Sequence, residues 1–198
     1  MMAAAPTVME GTVAKVQRLK PEPMTAESFA PFGELWHASG ELGDKAEIVP
    51  VEFAYEGRAT VSVIRQPHVG FAFTELERHF GVTQGFAQLS GSPAVVCVAR
   101  PSATDDPADI PDPADVRAFL IDPSVGYAFR RGTWHSLNRY SLDPSGGTFL
   151  ILNSDPNPTQ IVDYRTGTAS MHRDLGADAA PEKIDLAGDF GVVFEIEA

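Results

Sequence analysis

The chain has 198 residues, 43% of them hydrophobic, and a formal net charge of −12. That length suits one domain with a sizeable core. A strongly acidic surface repels nucleic-acid phosphates and anionic membranes, so we expect neither as a partner. A small anionic ligand would need local positive charge, which makes the positions of the few arginines informative.

Residues 1–15 are small and weakly patterned, without the basic region and apolar core of a secretory signal. No apolar run approaches the ~18 residues that cross a bilayer. Cys97 is the only cysteine and lies in an apolar run, so we expect a buried structural thiol rather than a nucleophile. A reducing, cytoplasmic location fits these features best.

The first predicted element is a short helix that includes Phe29. Thr25 can cap its N-terminus, and Ser28 can support the first turn. Pro31 disfavours the α conformation in the residue before it, so the helix should end near Ala30.

From Ile48 onward the pattern is that of β-structure, because apolar and polar residues alternate between Gly- and Pro-containing turns. Strands are expected over residues 49–54, 60–65, 71–79, 85–89, 94–99, 116–121, 126–129, 148–152 and 191–196. The Asp- and Pro-rich stretch 101–113 is expected to be a solvated loop, and 155–190 gives no clear pattern. Many short strands and little helix predict an all-β chain, folded as an antiparallel barrel or sandwich.

The polar residues with the most informative spacing are Glu77, His79 and Gln84, followed by Gly91 and, further along, by His135. A strand would place Glu77 and His79 on the same face. A turn after His79 can bring Gln84 back to that face, and His135 can enter the same space from another strand. Two imidazoles, a carboxylate and an amide would then form a polar site for a metal ion or a small anion.

This spacing, with Gly132 three residues before His135, resembles the two motifs of the cupin superfamily. Within the cupins, the chain resembles the ureidoglycolate lyase family over roughly residues 20–155. The phrases that carry the resemblance are Pro31-Phe32-Gly33, Leu76-Glu77-Arg78-His79, Thr83-Gln84-Gly85-Phe86, Val116-Arg117-Ala118-Phe119 and Gly132-Thr133-Trp134-His135.

The resemblance implies a single cupin domain over 1–198, a jelly-roll β-barrel with a core at about 16–157. A short N-terminal helix and a C-terminal extension over 158–198 would complete it. Barrels with an added terminal strand often pair through that strand, so we expect a homodimer.

Three departures from the family pattern surround the presumed pocket. Ser136 and Leu137 stand where the family usually has His and Pro, and Phe129 stands where it usually has Tyr. The pair Asn153-Ser154 occupies the place of a common Asp-Arg. The fold expectation is unaffected, but the identity of the substrate stays open.

The activity implied by the resemblance is cleavage of a C–N bond of ureidoglycolate to glyoxylate and urea, an amidine-lyase reaction of allantoin and purine breakdown. The predicted catalytic residues are Glu77, His79 and His135, since imidazole and a desolvated carboxyl can transfer protons near neutral pH. Arg65, at a strand end, is the predicted clamp for the substrate carboxylate.

Further substrate contacts are predicted at Gln84, Arg130 and Trp134, with core packing as the alternative for Trp134. Arg131 and Arg139 also flank His135, and both are expected to be solvated charges. The local excess of positive charge suits an anionic substrate.

The same side chains could instead bind a divalent metal ion. Glu77, His79, Gln84 and His135 offer two nitrogens and two oxygens, a set that Ni, Mn, Fe or Zn would accept. No organic cofactor is expected. The acidic stretch 105–115 lacks the spacing of a calcium loop.

Two alternative functions remain open from the sequence. One is a diverged cupin lyase, isomerase or metal-dependent enzyme that acts on another small hydroxy- or keto-carboxylate. The other is a non-catalytic cupin that binds a small acid or a sugar, because a fold does not establish a function.

Overall fold

The computed structural model describes residues 14–38, 46–90, 93–103 and 105–197. Gly91 of the cupin-like motif and most of the weakly patterned N-terminus lie outside the described residues. Helix α1 spans Ala26–Phe29, and a 3-10 turn spans Pro113–Asp115. The strands are β1 Lys15–Leu19, β2 Pro21–Pro23, β3 Gly33–Trp36, β4 Arg58–Gln66, β5 Ala72–Phe73, β6 Glu75–His79, β7 Gly85–Gln88, β8 Ala94–Ala99, β9 Arg117–Ile121, β10 Gly126–Phe129, β11 Trp134–Ser136, β12 Tyr140–Ser141, β13 Gly147–Asp155, β14 Thr159–Asp163, β15 Thr168–His172, β16 Glu182–Asp185 and β17 Val192–Ile196.

Helix α1 forms as the sequence predicts. Thr25 is its N-cap, and the Ser28 amide donates to the Thr25 hydroxyl at 3.1 Å. The Thr25 amide donates in return to the Ser28 hydroxyl at 3.0 Å, which completes a capping box. The helix is anchored by Phe29, which is fully buried.

The strands form three sheets, and the all-β prediction is confirmed. One sheet has the order β3-β10-β7-β13-β4, and a larger one has the order β16-β15-β14-β6-β11-β8-β9-β2, with β12 attached to β8. A small third sheet has the order β1-β17-β5. Within the described residues these sheets stay separate, so the jelly roll is a layered sandwich rather than a closed barrel.

Two cores lie on the two faces of the large sheet. The core between the two main sheets is rich in aromatic side chains: Phe29, Phe32, Phe86, Phe119, Tyr127, Phe129 and Phe149. The other core packs the three-stranded sheet, through Phe194 and its neighbours, against the opposite face. Strand β8 is therefore buried on both faces, which explains its uninterrupted apolar sequence and the burial of the free thiol of Cys97.

The predicted strand over 49–54 is wrong. This segment is not paired in a sheet, and Val49 and Val51 are exposed. The segment has the alternation of a strand but no neighbouring strand to pair with, and Pro50 lacks the amide hydrogen that a ladder requires.

The stretch that the sequence analysis set apart as an extension contributes strands to the same sheets. β14 pairs along the whole of β6, and β15 and β16 continue the sheet. The terminal strand β17 has β1 on one side and β5 on the other. No helix within the described ranges is long and apolar enough to cross a membrane.

Candidate active site

Three adjacent strands of the large sheet bring the central polar residues together. In the pairing of β6 with β11, Glu77 lies opposite His135. In the pairing of β6 with β14, His79 lies opposite Thr159. Because side chains alternate along β6, Glu77 and His79 point to the same face, and His135 joins them from the neighbouring strand.

These three side chains form a compact buried cluster, called here the Glu77 cluster. The Glu77 Oε1 atom lies 3.9 Å from His79 Nε2 and 3.6 Å from His135 Nδ1. The exposed fractions of Glu77, His79 and His135 are 7%, 3% and 0%. The grouping that the spacing predicted is therefore present in the fold.

Hydrogen bonds fix the tautomer of each imidazole. The Thr159 hydroxyl donates to the Asn157 carbonyl at 2.9 Å, so it accepts from His79 Nδ1 at 2.8 Å. The Ser136 carbonyl can only accept, so His135 Nδ1 donates to it at 3.2 Å. Both Nε2 atoms then carry a lone pair, and both are buried without a hydrogen-bond partner among the described residues.

Burial also determines the charge of the cluster. Desolvation raises the pKa of Glu77 to about 7, and the nearby Arg139 guanidinium opposes that rise. Desolvation, followed by the charge of Arg139, lowers the pKa of His79 to about 3 and that of His135 well below its usual value. Near neutral pH both imidazoles are therefore neutral, while the Glu77 carboxyl can hold or release a proton.

The Glu77 cluster also fits a divalent ion. Its three candidate ligand atoms lie within 4.8 Å of one another, and it is the one such group found in the described part of the chain. Two atoms that each bind one ion at about 2.1 Å lie on the order of 3–3.5 Å apart, so small rotamer changes would suffice. Two unpartnered imidazole lone pairs and a carboxylate suit a borderline metal.

A cavity of about 320 Å³ opens beside the cluster. Its lining consists of Ile64, Gln66, Glu77, His79, Gln84, Phe86, Leu137, Arg139, Ile151, Asn153, Asn157, Ile161 and Leu175. His135 is not part of this lining, because its ring stacks on Phe129 with centroids 4.4 Å apart. Glu77 and His79 are thus the members of the cluster that meet a ligand in the cavity.

The structure brings one predicted substrate contact to the cavity and leaves three outside it. Gln84 lines the cavity, with a buried Oε1 that has no partner among the described residues. Arg65 is exposed on the outer face of β4, because the alternate residues of that strand face inward. Arg130 is exposed beside a different pocket. Trp134 is buried on the far side of the large sheet, where its indole donates to Ser102.

The guanidinium that reaches the cavity belongs to Arg139, which the sequence analysis treated as a solvated charge. Its exposed fraction is 3%, and it lines the cavity with Glu77 and His79. A signal was present in the sequence, since His135, Leu137 and Arg139 follow one another with the period of two that places residues on one side of an extended chain.

Comparisons with known proteins point to one family. The family model described as ureidoglycolate lyase matches residues 16–168. A Rhodobacter capsulatus protein named ureidoglycolate lyase is 35% identical over 168 residues, which cover 74% of this chain and 98% of that protein. Proteins of the same name from Pseudomonas paraeruginosa and Azotobacter vinelandii are 33% and 31% identical, over 61% and 67% of this chain and 75% and 82% of their own lengths.

Proposed function

This chain belongs to the ureidoglycolate lyase family, and from that premise we propose that it cleaves ureidoglycolate to glyoxylate and urea. The observation that carries the proposal is the Glu77 cluster, a buried carboxyl beside imidazoles with free lone pairs, at the wall of a small cavity. The alternative enzymes and the non-catalytic binding protein are not favoured by the family match.

The proposed reaction is an elimination across a carbinolamide. The hydroxyl of ureidoglycolate loses its proton, its oxygen forms the carbonyl of glyoxylate, and the C–N bond breaks. The leaving nitrogen takes up a proton, so that urea departs neutral and no water is consumed. The chemistry therefore needs one proton acceptor and one proton donor close to a single carbon atom.

Glu77 and His79 meet that need. The Nε2 lone pair of His79 is held toward the cluster because Nδ1 donates to Thr159, and it can accept the hydroxyl proton. Because the pKa of His79 is lowered to about 3, this proton does not stay on the ring but passes to Glu77, which becomes a carboxylate when it donates to the leaving nitrogen. The Glu77 carboxyl has a pKa raised to about 7, so a protonated fraction is available to donate to the leaving nitrogen. His135 lies behind the cavity wall, with its Nδ1 atom 3.6 Å from Glu77 Oε1.

The other use of the cluster is a divalent metal centre, in which Glu77, His79 and His135, with Gln84, would hold Ni, Mn, Fe or Zn. Such an ion would polarise the hydroxyl and carboxylate oxygens of the substrate. The two uses exclude one another at His79, because one lone pair serves either a proton or an ion. We also propose a reducing, cytoplasmic setting, with allantoin breakdown as the process that would supply this substrate.

The test is turnover of ureidoglycolate by the purified chain, followed as glyoxylate release above the spontaneous rate. We expect release that saturates with substrate and is lost in His79→Ala. Parallel assays in EDTA and with each added metal decide between the two uses of the cluster. Release no faster than in buffer, under every metal condition, would contradict the proposed function.

A further inference from the structure

Arg139 is a buried cation that lies near Glu77 and opposes the rise of its pKa, but it forms no ion pair with that carboxyl. The ion pairs among the described residues do not include it. Its hydrogen bonds go to neutral groups, from Nε to the Tyr127 hydroxyl at 3.2 Å and from Nη1 to the Ser136 carbonyl at 3.4 Å. A buried charge that forms no ion pair is costly, so its retention in a protein core needs a reason.

One nitrogen of this guanidinium has no hydrogen-bond partner among the described residues, and the side chain lines the cavity. Arg139 Nη2 is buried and has no hydrogen-bond partner among the described residues, although it carries two N–H donors. Arg139 lines the same cavity as Glu77 and His79. Two donors and a full positive charge are therefore available to a ligand that lies beside the proton-transferring groups.

The guanidinium is also held in place before any ligand arrives. Its central carbon lies 3.7 Å from the centroid of the Phe86 ring, a close cation–π contact. The Arg139 backbone amide donates to the Gln66 side chain at 2.7 Å, and the Gln66 amide group donates to the Leu137 carbonyl at 3.2 Å. A donor fixed in this way loses little conformational entropy when it binds an anion.

The rest of the lining limits what the anion can be. Its other polar groups are the side-chain amides of residues such as Gln84, Asn153 and Asn157, which can hydrogen-bond a hydroxyl or a ureido group. The remaining walls are apolar and the volume is about 320 Å³, so a large or multiply charged anion is disfavoured. A planar carboxylate on a short carbon chain suits both the guanidinium and the space.

We propose that Arg139 is the carboxylate receptor of this cavity and selects small 2-hydroxy and 2-oxo acids over their uncharged analogues. The inference deepens the proposed function, since it names the group that would hold the carboxylate of ureidoglycolate with its carbinol carbon toward Glu77 and His79. Arg65 and Arg130 do not contribute, because neither reaches the cavity.

The test uses glycolate and glycolamide as probes, a small hydroxy acid and its uncharged amide of nearly equal shape. Calorimetric titration of the full chain should show binding of glycolate and much weaker binding of glycolamide. In Arg139→Gln the affinity for glycolate should fall by about 10- to 100-fold, the usual effect of losing charge-assisted hydrogen bonds. Arg139→Lys should recover part of it, since lysine keeps the charge but not the planar pair of donors.

Arg65→Gln is the matched control, because it removes an exposed arginine that does not reach the cavity, and it should bind glycolate like the unaltered chain. Equal affinity of the unaltered chain for the two probes would overturn the inference, as would unchanged glycolate binding in Arg139→Gln. If Arg139→Gln fails to fold, the comparison of the two probes and the Arg139→Lys variant still test whether Arg139 binds the carboxylate.

The outcomes separate this inference from the proposed function. Glycolate binding that depends on Arg139, in a chain that releases no glyoxylate from ureidoglycolate, would keep the receptor and reject the lyase reaction. Lyase turnover with an unchanged KM in Arg139→Gln would keep the reaction and reject the receptor.

Discussion

At the scale of single residues, the proposed chemistry depends on where one hydrogen sits on the His79 ring. The Thr159 hydroxyl accepts a hydrogen bond from His79 Nδ1 and donates one to the Asn157 carbonyl. The hydrogen of the ring therefore stays on Nδ1, and the Nε2 lone pair is free for the cavity. Thr159 is fully buried, so water does not replace it in this role. It acts through His79 and is therefore a positioning residue.

Replacement of Thr159 with Val should lower kcat by about 10- to 100-fold, the range typical of groups that orient an active-site histidine. The change removes the acceptor for Nδ1 while it keeps the size of the side chain, so KM should change little. Steady-state kinetics measure both constants. Thr133→Val is the control, since it removes another buried hydroxyl, one that donates to the Phe32 carbonyl, and kcat there should be unchanged. Equal losses in both variants would contradict the positioning role.

The choice between Arg65 and Arg139 shows how far residues can be assigned from sequence. The cluster itself could be predicted, because period-two spacing and the family-like motifs place Glu77, His79 and His135 together. The arginine proposed to bind the carboxylate could not be predicted, because both faces of β4 carry apolar side chains. Val61 and Val63 suggest that the face with Arg65 is buried, yet they are 68% and 64% exposed.

At the scale of elements, the loop segments 101–103 and 105–113 are tied to the large sheet by Arg78. This side chain points away from Glu77 and His79, as β-alternation predicts, and is fully buried. It donates to the Gln160 side chain, to the Ser102 hydroxyl and to the carbonyls of Ala103 and Asp106. Its guanidinium carbon also lies 4.6 Å from the centroid of the Trp134 ring. Two carbonyls of the loop thus accept hydrogen bonds from this buried arginine.

Replacement of Arg78 with Met should lower the free energy of unfolding by about 2–4 kcal/mol, because the buried Gln160 side chain and three acceptors in the loop lose their donor at once. Denaturant titration gives this value. The control is Arg131→Met, which removes a partly exposed ion pair with Glu56 and should cost less than about 1 kcal/mol. A loss in Arg78→Met no greater than in the control would contradict the anchoring role.

Strand β14 was not predicted from the sequence, because its buried positions carry polar residues. Strand β14 begins with Thr159 and Gln160, two polar residues that are fully buried. Each is satisfied by a distant partner, Thr159 by His79 and Gln160 by Arg78, so hydropathy does not mark the strand. The opposite error occurred over 49–54, where a strand was predicted from the alternating pattern but no neighbouring strand is present to pair with it.

At the scale of the whole molecule, the outer face of β4, β13 and β7 is largely apolar, with Arg65 as the one charged side chain that alternation places on it. Val61, Val63 and Leu89 are each more than half exposed there. By alternation, the outward positions of β4, β13 and β7 carry no carboxylate. On a chain with a net charge of −12, this is a face where two copies can meet without repulsion. Strand β4 is an edge strand, and antiparallel pairing with its own copy would satisfy its free backbone groups.

We therefore expect a homodimer through β4, whereas the terminal strand β17 already has a neighbour on each side. Val63→Glu should convert the dimer to a monomer of 21.3 kDa, because it places two like charges at the symmetric contact. Light scattering after size-exclusion chromatography measures the mass. Val16→Glu, an exposed valine on a different sheet, should leave the dimer intact. A dimer that survives Val63→Glu, or an unaltered chain that is monomeric, would contradict this interface.

The central claim is that the Glu77 cluster breaks a C–N bond by elimination, without adding water. The most direct measurement is the product balance when the purified chain consumes ureidoglycolate, with glyoxylate, urea and ammonia assayed on the same sample. The account predicts equal amounts of glyoxylate and urea, no ammonia, and loss of both products to the spontaneous rate in His79→Ala. Release of ammonia in place of urea, or products that persist unchanged in His79→Ala, would contradict it.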